Sequence, residues 1–366
     1  MKSPNNADFD SEFKPEQLLG GRYKVLSLIG RGGMGVVYKV EQIYLEKELA
    51  LKTINKTSLT DNSVRRFQAE ARAVFALNHP NVISVHDFGL LDEHTPFLAM
   101  EYVNGESLAE TIKTRILNVS EAIPIFIQAC KGLAHAHEHG VVHRDIKPGN
   151  IMLVTRLPPG TEGSIKILDF GIAKLTEHES GEIQSLTRTG EIFGSPLYMS
   201  PEQCGGGKID HRSDIYSLGC VMFEALTGTT PFVGDSALST MMMHQSAPAP
   251  SLREASLGGE FPNELEQVVK AMLAKNPDNR YQSLEKAAQD LAATLGGDGL
   301  QHNPLTQPES KLIDSGLKAV TITIRRRMLY TLIFGVVFFS AALGTTITNL
   351  LMTYTAQIPK FDSHQN

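Results

Sequence analysis

The chain has few residues that could cross-link it and no surplus of positive charge. Three cysteines, Cys130, Cys204 and Cys220, occur among 366 residues, scattered and odd in number. They form neither a disulfide framework nor a zinc-binding spacing, and read as buried reduced thiols of a cytosolic domain. Lys and Arg number 34 against 40 Asp and Glu, and the net charge of -6 argues against a general nucleic-acid binder. Residues 1–22 are polar and contain no apolar core of the kind a secretory signal needs, which predicts a flexible lead-in. No internal repeat is present. Charged residues at 20%, apolar residues at 42% and a mean hydropathy of -0.12 exclude a wholly disordered chain, a collagen-like repeat and a polytopic membrane protein. The length itself suggests two or three folded units.

One long apolar run stands out against this background. Between Arg327 and Lys360 the 32 residues 328–359 carry no ionisable group except two tyrosines. The 24 residues from Leu329 to Met352 would make a helix of roughly 36 Å, enough to cross a hydrocarbon core of ~30 Å with some tilt. A buried core helix is the alternative, but such helices rarely run so far without charge. A transmembrane helix over 328–352 is therefore expected. Arg325, Arg326 and Arg327 abut its N-terminal edge, whereas Lys360 is the single Lys or Arg of the last 14 residues. The positive-inside rule then keeps the bulk of the chain in the cytoplasm, leaving 353–366 as a short extracytoplasmic tail. Ser340, Gly344 and Thr348 put small side chains on one face of this helix, which could pack two copies into a homodimer. Residues 295–327, rich in Gly, Pro, Ser and Asn, read as a juxtamembrane linker.

The remaining stretch, 23–294, is long enough to bury a substantial core. Gly30-Arg31-Gly32-Gly33-Met34-Gly35 fits G-x-G-x-x-G, a weak signal alone in a chain with 31 glycines. Its flanks discriminate. Tyr23–Ile29 alternates as a strand does, and Val36–Val40 is β-branched and aromatic, so the order is strand, turn, strand. A dinucleotide fold needs a helix at that point, so that reading loses. A glycine hairpin can lie over a triphosphate because its backbone N–H groups approach phosphate oxygens without Cβ atoms in the way. Lys52 follows in the apolar run Leu49-Ala50-Leu51-Lys52. Such a lysine is usually a surface residue of an edge strand, but here it could reach the same phosphates. Glu70 lies on a segment with helical spacing of Phe67, Ala71 and Val74, and could hold the lysine by an ion pair.

His143-Arg144-Asp145-Ile146-Lys147-Pro148-Gly149-Asn150 matches H-R-D-L-x-x-x-N with Ile for Leu. Asp169-Phe170-Gly171 follows the apolar strand 165–168, and Ser200-Pro201-Glu202 closes a segment containing Gly194-Ser195-Pro196. All these elements occur in one order at compatible spacings. On them, and on Asp214-Ile215-Tyr216-Ser217-Leu218-Gly219, the sequence resembles the protein-kinase superfamily, most closely the bacterial membrane-anchored serine/threonine kinases of the PknB type. The resemblance covers about 23–291.

It implies a two-lobed α+β fold with an antiparallel-sheet N-lobe (about 23–102), a mainly helical C-lobe (about 103–294), and ATP between them. It further implies transfer of the ATP γ-phosphate to Ser or Thr hydroxyls of protein substrates, with Mg²⁺ as cofactor. Phosphoryl transfer asks of the protein alignment and charge neutralisation rather than covalent chemistry. By resemblance, the hairpin residues Ile29, Gly30, Arg31, Gly32, Gly33, Met34, Gly35, Val36 and Val37 cover the nucleotide. Ala50 packs on adenine with Val37, the backbones of Glu101 and Val103 bond it, and Met100 is the gatekeeper. Lys52, oriented by Glu70, holds the α- and β-phosphates, while Asp169 and Asn150 bind Mg²⁺. Asp145 takes the hydroxyl proton and Lys147 neutralises the γ-phosphate, the serine/threonine form of the loop. Thr187 and Thr189 are the expected autophosphorylation sites, because a phosphate there would meet Arg144 and order a polar loop.

Several features fit less directly. His135 and His139 have an i, i+4 spacing that zinc can use, but the stretch resembles the family helix where a histidine such as His137 is structural. Met241-Met242-Met243 reads as packing, and 155–164 as an extended surface loop. Ser195 stands where the family more often has threonine. Ser200 replaces the usual alanine, a small change that leaves a Glu202–Arg280 ion pair feasible. The competing function is a membrane-anchored pseudokinase scaffold; such proteins generally lose the equivalents of Lys52, Asp145 or Asp169, and this chain has all three.

Overall fold

The computed structural model describes residues 13–32, 35–54, 61–92, 95–155, 157–170 and 196–296, all within the first of two units, 1–302 and 303–366. The expected span and tail, the linker beyond Gly296, Gly33 and Met34, and Thr187, Thr189 and Ser195 lie outside the described residues, among which no helix is long and apolar enough to cross a membrane.

Alternation builds the first lobe. Strands β1 (Leu18–Leu19), β2 (Tyr23–Gly32), β3 (Gly35–Gln42), β4 (Lys47–Ile54), β5 (Val85–Leu90) and β6 (Pro96–Glu101) form one antiparallel sheet in the order β1-β2-β3-β4-β6-β5. The two-residue period sends Leu49 and Leu51 of β4, with Phe97 and Ala99 of β6, into a core they share with Tyr23, Val25, Tyr38 and Val40. Ala50, Leu98 and Met100 fall on the opposite face and join the main core. Helix α1 (Asp61–Phe75) contributes Ala71 and Val74 to that same core. Register shifts in β2 between Val25 and Ser27 and between Leu28 and Gly30 bend the glycine hairpin out of a flat sheet.

After Glu101 the chain becomes mainly helical. A small sheet of β7 (Gly105–Ser107), β8 (Ile151–Val154) and β9 (Ile165–Ile167) accompanies α2 (Leu108–Thr114) and α3 (Val119–Glu138). Both helices start with capping boxes, Ser107 with Glu110 and Asn118 with Glu121, which satisfy N–H groups that have no intrahelical partner. Two helices used below follow: α4 (Pro201–Gly205) and α5 (His211–Thr227). Helix α5 begins on the Asp210 cap and stops at Gly228, whose φ of 76° only glycine adopts cheaply. It is buried on all sides, from Ser213 through Phe223, and forms the axis of this lobe. The sequence-based expectation of a sheet lobe followed by a helical lobe agrees with this architecture.

Candidate active site

Four stretches of chain converge at the junction of the lobes. Lys52 pairs across the sheet with Val37 on one side and Leu98 on the other. Its Nζ donates to Asp169 Oδ1 at 2.7 Å, tying β4 to the segment after β9. Among the described contacts this is the ion pair of Lys52; Glu70, its expected partner, lies on α1. Ala50 and Met100 are cross-strand neighbours and almost wholly buried, while Val37 and Val103 pack partly buried against the same core.

The hairpin glycines fall into two groups. A Cβ on Gly35 would lie 1.7 Å from the Thr53 carbonyl oxygen, and its φ is 152°, so the fold itself demands glycine there. Gly30 and Gly32 meet nothing within 4 Å among the described residues. No packing among the described residues requires them to be glycine, as expected if a ligand approaches that backbone.

The loop from His143 to Asn150 is held from beneath. Asp214, on buried α5, accepts hydrogen bonds from the backbone N–H of His143 (2.8 Å) and of Arg144 (2.8 Å), and pairs with His137 Nε2 at 2.8 Å. Burial opposes the Asp214 charge, yet the His137 contact and the His143 backbone N–H hold its carboxyl below the ordinary range. The anchoring supports Arg144 in a left-handed conformation, φ 64°, that non-glycine residues avoid. His143 Nε2 faces the Leu168 carbonyl at 2.7 Å and its Nδ1 receives the Asp145 N–H at 3.3 Å. A carbonyl only accepts, so the ring is the neutral Nε2–H tautomer; burial pushes its pKa down in agreement.

Upon this frame the polar groups meet. Lys147 Nζ donates to Asp145 Oδ2 at 2.8 Å, and Asn150 Nδ2 donates to the Asp145 carbonyl at 2.8 Å. Pro148 opens the single turn that brings Asn150 back toward Asp145. Asp169 also has left-handed backbone, φ 52°. The Arg144 carbonyl accepts from Gln203 Nε2 of α4 at 3.0 Å, and the Arg144 Nε is buried without a hydrogen-bond partner among the described residues. Farther out, Arg280 grips Glu202 through two 2.8 Å bonds and spends its other donors on the carbonyls of Arg212, Ala274 and Lys275. Burial opposes the Glu202 charge, but this grip and the Ser213 hydroxyl keep its pKa below the usual value. His135 and His139 lie tilted with ring centroids 4.3 Å apart, and no group of three metal-ligating side chains occurs among the described residues.

Asp214 and Gln203 carried no role in the sequence reading. A carboxylate directly ahead of the mainly apolar stretch 215–223 is the signal that could have marked Asp214 as a buried anchor.

A sheet lobe and a helical lobe thus meet on a Lys–Asp pair and an anchored His-Arg-Asp loop. The model of the protein kinase domain matches residues 23–291, and the chain belongs to that family. Among its relatives, the serine/threonine-protein kinase pkn3 of Myxococcus xanthus is 40% identical over 274 residues, 74% of this chain and 50% of pkn3. The serine/threonine-protein kinase PrkC of Bacillus subtilis is 38% identical over 295 residues, 80% of this chain and 43% of PrkC. PknB of Mycobacterium tuberculosis is 37% identical over 287 residues, 76% of this chain and 44% of PknB. The chain thus spans half or less of the length of these relatives. The solved PknI kinase domain of M. tuberculosis superposes with a TM-score of 0.60 at 26% identity, covering 77% of this chain and all of that one.

Proposed function

We propose that the chain is a membrane-tethered serine/threonine protein kinase that transfers the γ-phosphoryl group of ATP to hydroxyls of cytoplasmic proteins. The observation that carries this reading is the Lys52–Asp169 pair at 2.7 Å together with the Asp145–Lys147 pair at 2.8 Å. ATP lies under the glycine hairpin, where Gly30 and Gly32 leave the backbone open, with adenine between Ala50, Val37 and the Glu101–Val103 backbone. Lys52 binds the α- and β-phosphates, and Glu70 is the second carboxylate assigned to it. The Asn150 amide nitrogen is committed to Asp145, so its oxygen and the Asp169 carboxylate form a hard donor set that suits Mg²⁺. That ion, when bound, neutralises phosphate charge. Asp145 accepts a hydrogen bond from the substrate hydroxyl and takes its proton late in the transfer, while Lys147 offsets charge on the migrating phosphoryl group.

The buried Arg144 Nε supports a phosphate-receiving role for Arg144, with Thr187 and Thr189 as the phosphorylated residues. The apolar run 328–352 anchors the kinase domain on the cytoplasmic side, and its Ser340, Gly344, Thr348 face pairs two copies. Mass spectrometry of the full-length chain in detergent with ATP and Mg²⁺, beside Asp145→Asn, tests the reading. Phosphate on Thr187 or Thr189 in the wild type alone is expected. Phosphate in neither, despite ATP binding, would replace the kinase by a nucleotide-binding scaffold.

A further inference from the structure

The connection between α1 and β5 belongs to the sheet lobe by sequence but is stitched to the helical lobe. Ile167 N–H of β9 donates to the Asn81 carbonyl (2.8 Å), and Ile83 N–H donates back to the Ile167 carbonyl (3.0 Å). The Asn81 side chain, buried, donates to Gln128 Oε1 on α3 (2.7 Å) and to the Ile165 carbonyl (3.1 Å). A Cβ on Gly132 of α3 would come within 3.2 Å of Asn81 Cβ, so α3 presses closely on this connection.

One side chain links this junction to the interlobe connection. Glu101 ends β6, where the chain leaves the sheet. Its N–H donates to the Ser84 carbonyl (2.9 Å), and its Oε1 accepts the Ser84 N–H (3.0 Å). The same Oε1 meets Lys166 Nζ of β9 at 2.8 Å. Both side chains are largely shielded, 17% exposed for Lys166 and 25% for Glu101, so solvent screens the pair less than a surface bridge. Lys166 alternates with the buried Ile165 and Ile167, and therefore points away from the core toward the hinge. Three residues later, just past the end of this strand, comes Asp169.

We propose that Glu101 and Lys166 form an interlobe tether that limits how far the lobes open, making both positioning residues for the nucleotide site. The carboxylate joins three parts that must shift relative to one another when the lobes swing: the hinge, the Ser84 connection and the strand that carries Asp169. Neither side chain touches a reacting group; each acts through the backbone it fixes. The proposal rests on the kinase reading for its nucleotide readout, but not for its structural one.

Two measurements on the full-length chain in detergent decide it, with Glu101→Gln, Lys166→Gln, their double variant and Lys166→Arg. The first is release of fluorescently labelled ADP. Each Gln variant is expected to release ADP about fivefold faster, the double variant no faster than either, and Lys166→Arg within twofold of wild type. The second is amide hydrogen exchange without nucleotide over 79–84 and 165–167, where the same pattern of faster exchange is expected. Unchanged release and exchange in the single variants overturn the tether. Increases that multiply in the double variant overturn it as well, because they show independent sites. If wild type binds no ADP, the kinase reading fails, and the exchange pattern alone then upholds or overturns the tether.

Discussion

Replacing Asp214 by Asn tests how the His143–Asn150 loop is held. The carboxylate accepts at both oxygens, from His143 N–H and His137 Nε2 at Oδ2 and from Arg144 N–H at Oδ1, each at 2.8 Å. An amide of the same shape has one oxygen. In its better orientation it keeps His143 and His137 but turns an NH₂ group toward the Arg144 N–H. Loss of a hydrogen bond to a charged acceptor costs ~1.5–3 kcal/mol, and the surviving bonds weaken with loss of the charge, so the total should be about 3 kcal/mol. For a domain of this size that lowers Tm by roughly 6–12 °C. The loss has a chemical consequence too, since the Arg144 bond is part of what holds φ at 64° against a preference of ~1–2 kcal/mol for ordinary backbone. Asp145 is the next residue, and a displacement of ~1 Å is worth on the order of 100-fold in rate. The pH dependence has a definite sign. The folded pKa of Asp214 lies below its ordinary 3.8, so its contribution is complete above that value and is lost only as pH falls through the depressed one. The melting difference between wild type and Asp214→Asn should be the same at pH 8 and pH 9. Thermal melts at both pH values and a peptide-phosphorylation assay check this. A variant that melts within 2 °C of wild type and retains its rate would refute the anchoring role.

Four other perturbations separate structural from functional residues. Gly35→Ala, with its Cβ on the Thr53 carbonyl, should lose about 3 kcal/mol, whereas Gly30→Ala and Gly32→Ala should melt within ~1 kcal/mol of wild type and raise the KM for ATP. Denaturant titration and nucleotide-dependent rates distinguish the two outcomes. Lys52→Met should abolish phosphorylation with little change in Tm, because its pair with Asp169 is only partly shielded and such pairs contribute ~1 kcal/mol or less. Arg280→Met should cost about 3–5 kcal/mol by stranding the buried Glu202, and Arg280→Lys should not restore it, since three ammonium donors cannot replace five guanidinium ones. Deleting 328–352 should move the chain from the membrane fraction to the soluble one on sedimentation; equal partitioning would remove the anchor.

Much of the site was legible because its residues sit in short, ordered motifs. The strand–glycine turn–strand pattern around Gly30–Gly35, the alternation that turns Ala50 and Lys52 to one face, and the His143–Asn150 spacing are all local, and the structure brings them together. The Glu202–Arg280 pair was inferred across 78 positions only through resemblance. What stayed hidden depends on long separations with no periodic signal. Asp214 meets its loop over 70 positions, Asn81 meets Gln128 over 47, and Lys166 meets Glu101 across the hinge. A lysine or asparagine at such a place looks like any surface residue until the chain is folded. The pairing of Lys52 with Asp169 is likewise a property of conformation, which composition and spacing do not encode.

The three cysteines lend themselves to practical use. Cys130, Cys204 and Cys220 are free and buried, and burial raises every one of their pKa values, that of Cys204 to about 12. A thiol so placed is almost entirely protonated at neutral pH and shielded from alkylating reagents. The native chain is therefore a quiet background for site-specific labelling: a cysteine introduced at an exposed position such as Tyr44, on the turn between β3 and β4, would react first. Conversely, slow labelling of the three native thiols would time the opening of the helical lobe around them, a stopwatch for unfolding already written into the wild-type sequence.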